Sequence, residues 1–236
     1  NPFYYLAAIF FLFCMLIIPF FIVRWDILHS SRIGHFSANT EIYCCKIEAG
    51  INKPKKKFVD LFCFDKEICN QQLAKMWKRK LNILPRFILM PIINLNKIII
   101  KIFDSVNYFV HLDESIYSIN EPKKLKKIST HRDLFDLIPI TKPHINFTKK
   151  EIQKGEKYLN SLGIDKDAKI ICLVVRDSAY QEKYLNSSDF DTSYNDYRNH
   201  DISNFLLAAE ELTKRGYWVF RMGKAVNKKI KTFNPK

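Results

Sequence analysis

Residues 170–175 read Ile-Ile-Cys-Leu-Val-Val, and this unbroken apolar run decides the predicted fold class. A strand without polar positions is buried on both faces, which is typical of a parallel sheet covered by helices. A second strand is predicted at 217–220, after a helix that begins at Asp201 or Ser203 and ends before Gly216. The order of strand, loop, helix and strand predicts an α/β fold with a right-handed crossover.

A further helix is predicted ahead of the first of these strands. Thr148 and Glu151 have the spacing of a capping box, in which each side chain bonds the backbone N–H of the other residue. Ile152, Tyr158 and Leu159 supply an apolar face, and Gly163 supplies the stop. A new folding unit is therefore expected to begin near this point.

The loop at 176–200 has about 25 residues, against two to six in most connections of this kind. It is rich in tyrosines and hydrogen-bonding groups, which suits recognition of sugar and phosphate; the alternative is an ordered insertion that packs on its own tyrosines. Arg176 and Arg221 each follow a predicted parallel strand, so both are expected at one sheet edge, converging on one anionic group. Gly223 would let the next turn approach a phosphate closely, and Asp177 would pair with an arginine or act on substrate.

The first half of the chain also alternates between strand and helix patterns. Strands are predicted at 20–28 (FFIVRWDIL) and 58–64 (FVDLFCF), and a helix at 66–84. Residues 89–103 are Ile-rich and fit a helix or a strand. The polar, lysine-rich stretch 118–143 is predicted as a surface connection or interdomain linker.

A glycine-bearing turn with capping residues follows the first strand, from Ser30 to Glu41. This pattern predicts a strand, a tight loop and the start of a helix. The loop would lie at the carboxyl end of the strand, where open α/β sheets place their ligands.

No charged residue occurs from Phe3 to Val23, and a helix of this length would cross a hydrocarbon core of roughly 30 Å. Arg24 and the lysines that follow would keep the rest of the chain cytoplasmic. Pro19 and the strand-like pattern at 20–28 favour a helix that ends near Ile18 and lies partly in the interface. A buried core helix is the other alternative. The expectation is a membrane-associated protein with a cytoplasmic catalytic part.

The formal net charge of +14 is concentrated in the first half, since residues 51–100 hold eleven Lys or Arg against three Asp or Glu. Basic clusters at 53–57 and 78–80, beside an apolar segment, favour membrane lipid as the partner; a merely solvated face is the alternative. The sequence contains no helix-turn-helix, zinc finger or aromatic RNA-binding block, so no nucleic-acid partner is expected.

The six cysteines show no CxxC motif, and most have apolar neighbours, which is typical of reduced, buried thiols. The side chains of the adjacent Cys44 and Cys45 would point in different directions. No metal site is therefore expected.

Short motif blocks along the chain resemble, in order, those of a family of bacterial surface-polysaccharide glycosyltransferases. The blocks are Ser30-Ser31-Arg32-Ile33-Gly34-His35 with Asn39-Thr40-Glu41, Val175-Arg176-Asp177-Ser178-Ala179-Tyr180, Tyr197-Arg198-Asn199 and Arg221-Met222-Gly223. Such enzymes are similar to the GT-B class, which has two Rossmann-like domains with the active site in the cleft between them. That class usually needs no metal, because helix N-termini and basic side chains stabilise the leaving diphosphate.

The resemblance implies transfer of a sugar from a nucleotide-sugar donor to a cell-surface glycan or lipid-linked acceptor, with no other cofactor. On the acceptor side it places Arg32, Gly34 and Asn39, with His35 or Glu41 as the general base if the enzyme inverts. The donor site it implies comprises Arg176, Asp177, Tyr180, Tyr197, Arg198, Asn199, Arg221 and Gly223.

The corresponding domains are a membrane-attachment segment at 1–24, an acceptor-side α/β domain with its linker at 25–145, and a nucleotide-sugar domain at 146–236. Compared with that family, the sequence is expected to lack the later strands of the last domain and so to hold only part of the active site. Two other functions stay open: a non-catalytic, membrane-anchored basic module that binds anionic lipid or nucleic acid, and another enzyme acting on a phosphate-bearing ligand.

Overall fold

The structure is a computed structural model that describes residues 5, 8–9, 12, 21–51, 53–102, 109–112, 133–185 and 193–230. The chain divides into two compact units, residues 1–146 and 147–236. In the described residues, the first unit holds a three-stranded parallel sheet and the second a two-stranded one. The prediction of two Rossmann-like domains of GT-B type is therefore wrong, because a sheet of that kind has about six strands.

β1 (Phe21–Leu28) is the central strand of the first sheet. β2 (Lys57–Phe64) pairs with one edge of β1 and β3 (Phe109–His111) with the other, both in parallel. β-Branched and aromatic residues fill β1 and β2, as the pleated, half-buried surface of a sheet favours. The strands predicted at 20–28 and 58–64 are confirmed, whereas β3 was not predicted.

A tight turn of four residues, 29–32, follows β1 and leads into a helix, so the predicted order of strand, tight loop and helix is confirmed. The first part of this helix is a π-helical turn, His35–Asn39, which continues directly into α1 (Thr40–Glu48). Gly34 already has helical backbone angles, φ −62° and ψ −48°, so its position does not require glycine. The predicted helix start at the capping residues is wrong, because the backbone is helical before Asn39 and the Asn39 side chain caps nothing.

The helices after β2 are set by one cap and by apolar spacing. α2 (Gln71–Lys80) begins after Asn70, whose side chain accepts the backbone N–H of Leu73 at 2.9 Å. α3 (Arg86–Ile102) shows that the ambiguous stretch is helical as far as Ile102, although it contains Pro91.

Side chains from both faces of the first sheet enter hydrophobic cores. One face of the sheet packs against α3, and the opposite face packs against the π-turn, α1 and α2. The first core contains Val23, Trp25, Cys63, Leu89, Ile92 and Ile93. The second contains Leu28, Phe36, Cys44, Phe62, Phe64, Ala74, Trp77 and Leu112. The first sheet is thus covered on both faces, as a parallel sheet requires.

Among the described residues, no helix has both the length and the apolar character needed to cross a bilayer. Most of the predicted transmembrane segment, Phe3–Val23, lies outside the described residues. Its last three residues belong to β1, where they pair with β2. The prediction of a helix that continues to Val23 is therefore wrong.

The second unit begins with α4 (Lys149–Ser161), and its predicted capping box is confirmed. The side-chain oxygen of Thr148 accepts the backbone N–H of Glu151 at 3.3 Å, and Glu151 Oε2 accepts the N–H of Thr148 at 2.8 Å. Two groups that helix geometry leaves without partners are satisfied in this way.

β4 (Ile170–Val174) pairs in parallel with β5 (Trp218–Met222), and α6 (Leu206–Lys214) packs against β5. In the described residues β4 is not buried on both faces, and Val174 is 77% exposed. That expectation is wrong: alternate residues of the strand, Ile170, Cys172 and Val174, are exposed when the described residues alone are considered. The long loop contains α5 (Ala179–Tyr184).

Candidate functional site

β4 and β5 end at the same edge of the second sheet, and Arg176, Asp177 and Arg221 lie there. Arg221 is opposite Leu173 in the parallel register, and Arg176 follows β4 by two residues. Arg221 Nη2 lies 3.1 Å from Asp177 Oδ2, and the two side chains are only 10% and 13% exposed. The other terminal nitrogen of Arg221 donates to the carbonyl of Lys228. Both terminal nitrogens of the guanidinium therefore have partners in the protein.

Asp177 accepts hydrogen bonds from three groups at this edge, of which Arg221 is one. Its Oδ2 also accepts the backbone N–H of Asn227 at 3.0 Å, and its Oδ1 accepts the N–H of Ala179 at 3.1 Å. The Asn227 side chain donates to the Ser178 hydroxyl at 2.9 Å. These bonds join the loop after β4 to the turn after β5. Of the two roles considered for Asp177, the structure shows the pairing with an arginine.

Arg176 has partners of its own. Its Nη2 donates to Gln181 Oε1 at 3.0 Å, and its carbonyl accepts the N–H of His200 at 2.9 Å. The structure thus places Arg176 and Arg221 at one edge with different partners. Their convergence on a shared anion stays a prediction.

Two buried atoms at this edge have no hydrogen-bond partner within the described part of the chain: Nε of Arg221 and Oδ1 of Asn199. The amide nitrogen of Asn199 donates to Asp196 Oδ1 at 3.1 Å, and the next residue, His200, bonds Arg176. Buried polar groups in folded proteins nearly always have partners. One donor and one acceptor here are therefore not satisfied by the described residues.

Tyr180 and Tyr184 of α5 form an aromatic and cationic cluster with Lys224. The ring centroids of the tyrosines are 5.1 Å apart, and Lys224 Nζ lies 4.2 Å from the Tyr184 centroid and 5.8 Å from that of Tyr180. Gly223 precedes Lys224 in a close turn, where a Cβ would lie 3.1 Å from a methyl carbon of Val226. Sequence reasoning missed Lys224, although it follows the Arg-Met-Gly block directly.

The remaining predicted donor residues are Tyr197, Arg198 and Asn199. Tyr197 and Arg198 are exposed, Tyr197 at 81%, on the 3₁₀ turn Ser193–Arg198. Only Asn199 of that block is half-buried beside the strand-end cluster.

The predicted acceptor residues of the first unit do not form one cluster. His35 Nδ1 lies 3.1 Å from the amide nitrogen of Asn39, one helical turn later, while Arg32 and Gly34 are exposed. Glu41 is six positions from His35 on a continuous helix, which places the two on different sides. The structure therefore separates the two candidate bases.

Glu41 instead contacts His144, 103 residues away in the sequence. Its Oε1 lies 2.9 Å from His144 Nδ1 and accepts the His144 backbone N–H at 3.0 Å. His144 Nε2 lies 2.8 Å from Glu48 Oε2, and the nearby Cys45 Sγ lies 3.0 Å from the Thr141 hydroxyl. Glu41, Cys45 and Glu48 share one face of α1, at spacings of four and three. That spacing was visible in the sequence, but their partner His144 was not.

A cavity of about 430 Å³ adjoins this network on the α1 side of the first sheet. His144, Glu48 and Lys80 form part of its wall. Its other lining residues are Tyr43, Cys44, Ile47, Phe58, Val59, Asp60, Phe62, Leu81 and Asn82. The volume is in the range of small-molecule sites. Burial and the Glu41 carboxylate raise the pKa of the Cys44 thiol to about 12, so this wall presents a thiol and not a thiolate.

Comparison with protein-family models, with curated proteins and with solved structures finds no match for this chain.

Proposed function

We propose that this protein is a glycosyltransferase that binds the diphosphate and sugar of a nucleotide-sugar at the carboxyl edge of β4 and β5. The observation that carries the proposal is the buried Nε of Arg221, a cationic donor at a strand end without a partner in the described residues. A phosphate oxygen is the group that best matches such a donor. The reaction class comes from the resemblance of the motif blocks.

The charges at this edge support an anionic ligand. Asp177 offsets Arg221, and Asp201 lies 3.3 Å from Lys228 Nζ. The cationic side chains near the edge are Arg176, Arg221, Lys224 and Lys228. With Asp196, which accepts from the Asn199 amide, three carboxylates against four cations leave a surplus of one positive charge, which favours a diphosphate.

The aromatic cluster supports a sugar beside the diphosphate. Tyrosine rings combine a flat apolar face with a polar tip, and Tyr180 and Tyr184 stand together after β4. In this proposal Lys224, which lies over both rings, faces the junction of sugar and phosphate.

On the acceptor side, the proposal keeps His35 as the candidate base. Glu41 is unsuited to that role because its Oε1 already accepts from the backbone of His144 and contacts the imidazole. The acceptor remains a surface glycan or lipid-linked saccharide, as the resemblance implies.

Calorimetric titration of the full chain tests the donor site. The probes are inorganic pyrophosphate and a panel of uridine, guanosine and thymidine diphosphate sugars. Arg221→Ala is expected to weaken binding at least about tenfold, the effect of about 1.4 kcal/mol. Arg221→Lys keeps the charge but lacks Nε–H, so an intermediate loss is expected. The matched control is Arg215→Ala, which removes an exposed arginine paired with Glu211.

Unchanged affinity in Arg221→Ala, with circular dichroism showing an intact fold, would count against the proposal. Binding without preference among nucleotides, with steep salt dependence and equal sensitivity to Arg215→Ala, would favour the non-catalytic basic module instead.

A further inference from the structure

Three different metal-ligating groups meet at α1. The carboxylate of Glu41, the Sγ of Cys45 and a ring nitrogen of His144 each offer one ligand atom, and these atoms lie within 4.8 Å of one another. We propose that they bind a zinc ion that fastens the segment containing His144 to α1. This inference is independent of the proposed function, because it concerns the first unit alone.

The two carboxylates around His144 supply the first argument. Glu41 faces one ring nitrogen at 2.9 Å and Glu48 faces the other at 2.8 Å. A neutral imidazole has one N–H, so it donates to only one of them and turns a lone pair toward the other. A carboxylate facing a lone pair at this distance requires a cation between them. That cation is either a second proton or a metal ion.

Cys45 decides between a proton and a metal. Its sulfur lies within 4.8 Å of the ligand atoms of Glu41 and His144, and the residue is fully buried. A proton shared by Glu41 and His144 leaves the thiol with the Thr141 hydroxyl as its hydrogen-bond partner and no part in compensating the charge, whereas a zinc ion uses all three groups. Nitrogen, sulfur and carboxylate oxygen are the ligands that zinc takes in proteins.

Glu48 has the position of an outer-shell partner. When His144 Nδ1 binds the metal, its Nε2–H donates to Glu48 Oε2, the arrangement by which carboxylates orient metal-bound histidines. The side chain of His144 is 6% exposed and that of Glu48 is 61% exposed, so the histidine is held between the core and the surface.

The site requires a modest rearrangement, in which the Glu41 and His144 atoms that lie 2.9 Å apart separate slightly and the wider spacings, of up to 4.8 Å, close. Zinc bonds of about 2.0 to 2.3 Å place tetrahedral ligand atoms about 3.3 to 3.8 Å apart. Side-chain rotation of Glu41 and Cys45, one helical turn apart, supplies that movement. The Thr141 hydroxyl, 3.0 Å from Cys45 Sγ, or a water completes the four positions.

Cobalt and zinc titrations of the metal-free full chain test the proposal. Co²⁺ is expected to bind one per chain, with a thiolate-to-cobalt charge-transfer band and the visible absorption of tetrahedral cobalt, and Zn²⁺ to displace it. Cys45→Ser removes the charge-transfer band. Glu48→Gln keeps the ligands and weakens binding roughly 10- to 100-fold. Cys172→Ser, which alters an exposed thiol of the second unit, leaves the spectrum unchanged.

The absence of a charge-transfer band from the unaltered protein overturns the proposal and favours an imidazolium between two carboxylates. Retention of the band in folded Cys45→Ser, or its loss in Cys172→Ser, overturns it as well. If Cys45→Ser does not fold, the spectrum and stoichiometry of the unaltered chain decide.

Discussion

Asp60 lies directly opposite Arg24 in the parallel pairing of β1 and β2, and the two side chains form a bidentate ion pair inside the first unit. Arg24 Nε lies 2.6 Å from Asp60 Oδ1, and Nη2 lies 2.5 Å from Oδ2. The arginine is fully buried and the aspartate 6% exposed. The Tyr43 hydroxyl donates to Asp60 Oδ2, and the Phe58 ring lies 4.6 Å from the guanidinium carbon. Both buried charges, on Arg24 and on Asp60, therefore have partners within the protein.

Asp60→Ala is expected to destabilise the protein by about 3–5 kcal/mol, because it leaves a buried arginine without its counter-ion. Replacing both partners, as in Arg24→Met with Asp60→Leu, is expected to cost much less than the two single changes together, since apolar residues remove the desolvation penalty. Urea unfolding at pH 7 measures both effects. Additive costs would contradict this account of a mutually dependent pair.

Tyr43→Phe is expected to cost about 1.5–3 kcal/mol, the contribution of a hydrogen bond to a charged group. Burial and the neighbouring carboxylate raise the pKa of Tyr43, so the hydroxyl stays protonated and remains a donor. Urea unfolding is again the measurement, with Tyr158→Phe, which alters a tyrosine that is 63% exposed, as the control. Equal stability of the two variants would show that the hydroxyl contributes nothing to the pair.

The elements that the sequence predicted correctly have local causes. The capping box at Thr148 and Glu151 uses groups three residues apart, and β1 and β2 contain their own apolar runs. β3 (Phe109–His111) has three residues and depends on pairing with β1, so no local pattern marks it. The limited burial of β4 was equally invisible, because it depends on which layers pack against the strand.

The same distinction, between features with local causes and features that depend on tertiary contacts, applies to the candidate site. Arg176 and Arg221 were placed at one edge because parallel strands end together. Their choice of partners, Gln181 and Asp177, depends on tertiary geometry that no spacing reveals. Glu41 was predicted to be a base. Its contact with His144 joins residues that are 103 positions apart, so no local pattern indicates it.

Thiol reactivity is expected to follow burial. Burial raises the pKa of Cys63 to about 11, and its side chain is inaccessible. Iodoacetamide at pH 8 is therefore expected to label the exposed Cys172 and to spare Cys63 until denaturant is added, as peptide mass spectrometry will measure. Labelling of Cys63 as fast as that of Cys172 in the native protein would contradict this packing.

The same shift predicts a direction for alkaline stability. The folded state favours the protonated thiol of Cys63, so its contribution is complete below the unfolded pKa of about 8.5 and is lost as pH rises through 11. Urea midpoints measured from pH 8 to 11 are expected to fall, and to fall less steeply in Cys63→Ala. Parallel curves for the two proteins would contradict this linkage.

Asp201 is expected to remain ionised far into the acid range. Its Oδ1 accepts the backbone N–H of Ser203 at 2.8 Å and the hydroxyl of the same residue at 2.7 Å, and these bonds, with Lys228 as a smaller cause, lower the pKa of Asp201 to about 2. Asp201 caps the 3₁₀ helix Ile202–Phe205, which leads into α6. Because the folded pKa is below the unfolded value of about 3.9, this cap stabilises the 3₁₀ helix above that value and is lost as pH falls through 2. A carboxyl NMR titration is expected to show a midpoint near 2. Hydrogen exchange of the Ser203 amide is expected to be slower in Asp201→Asn, which keeps an acceptor, than in Asp201→Ala. A midpoint near 3.9, or equal amide exchange in the two variants, would show that the carboxylate does not cap this helix in solution.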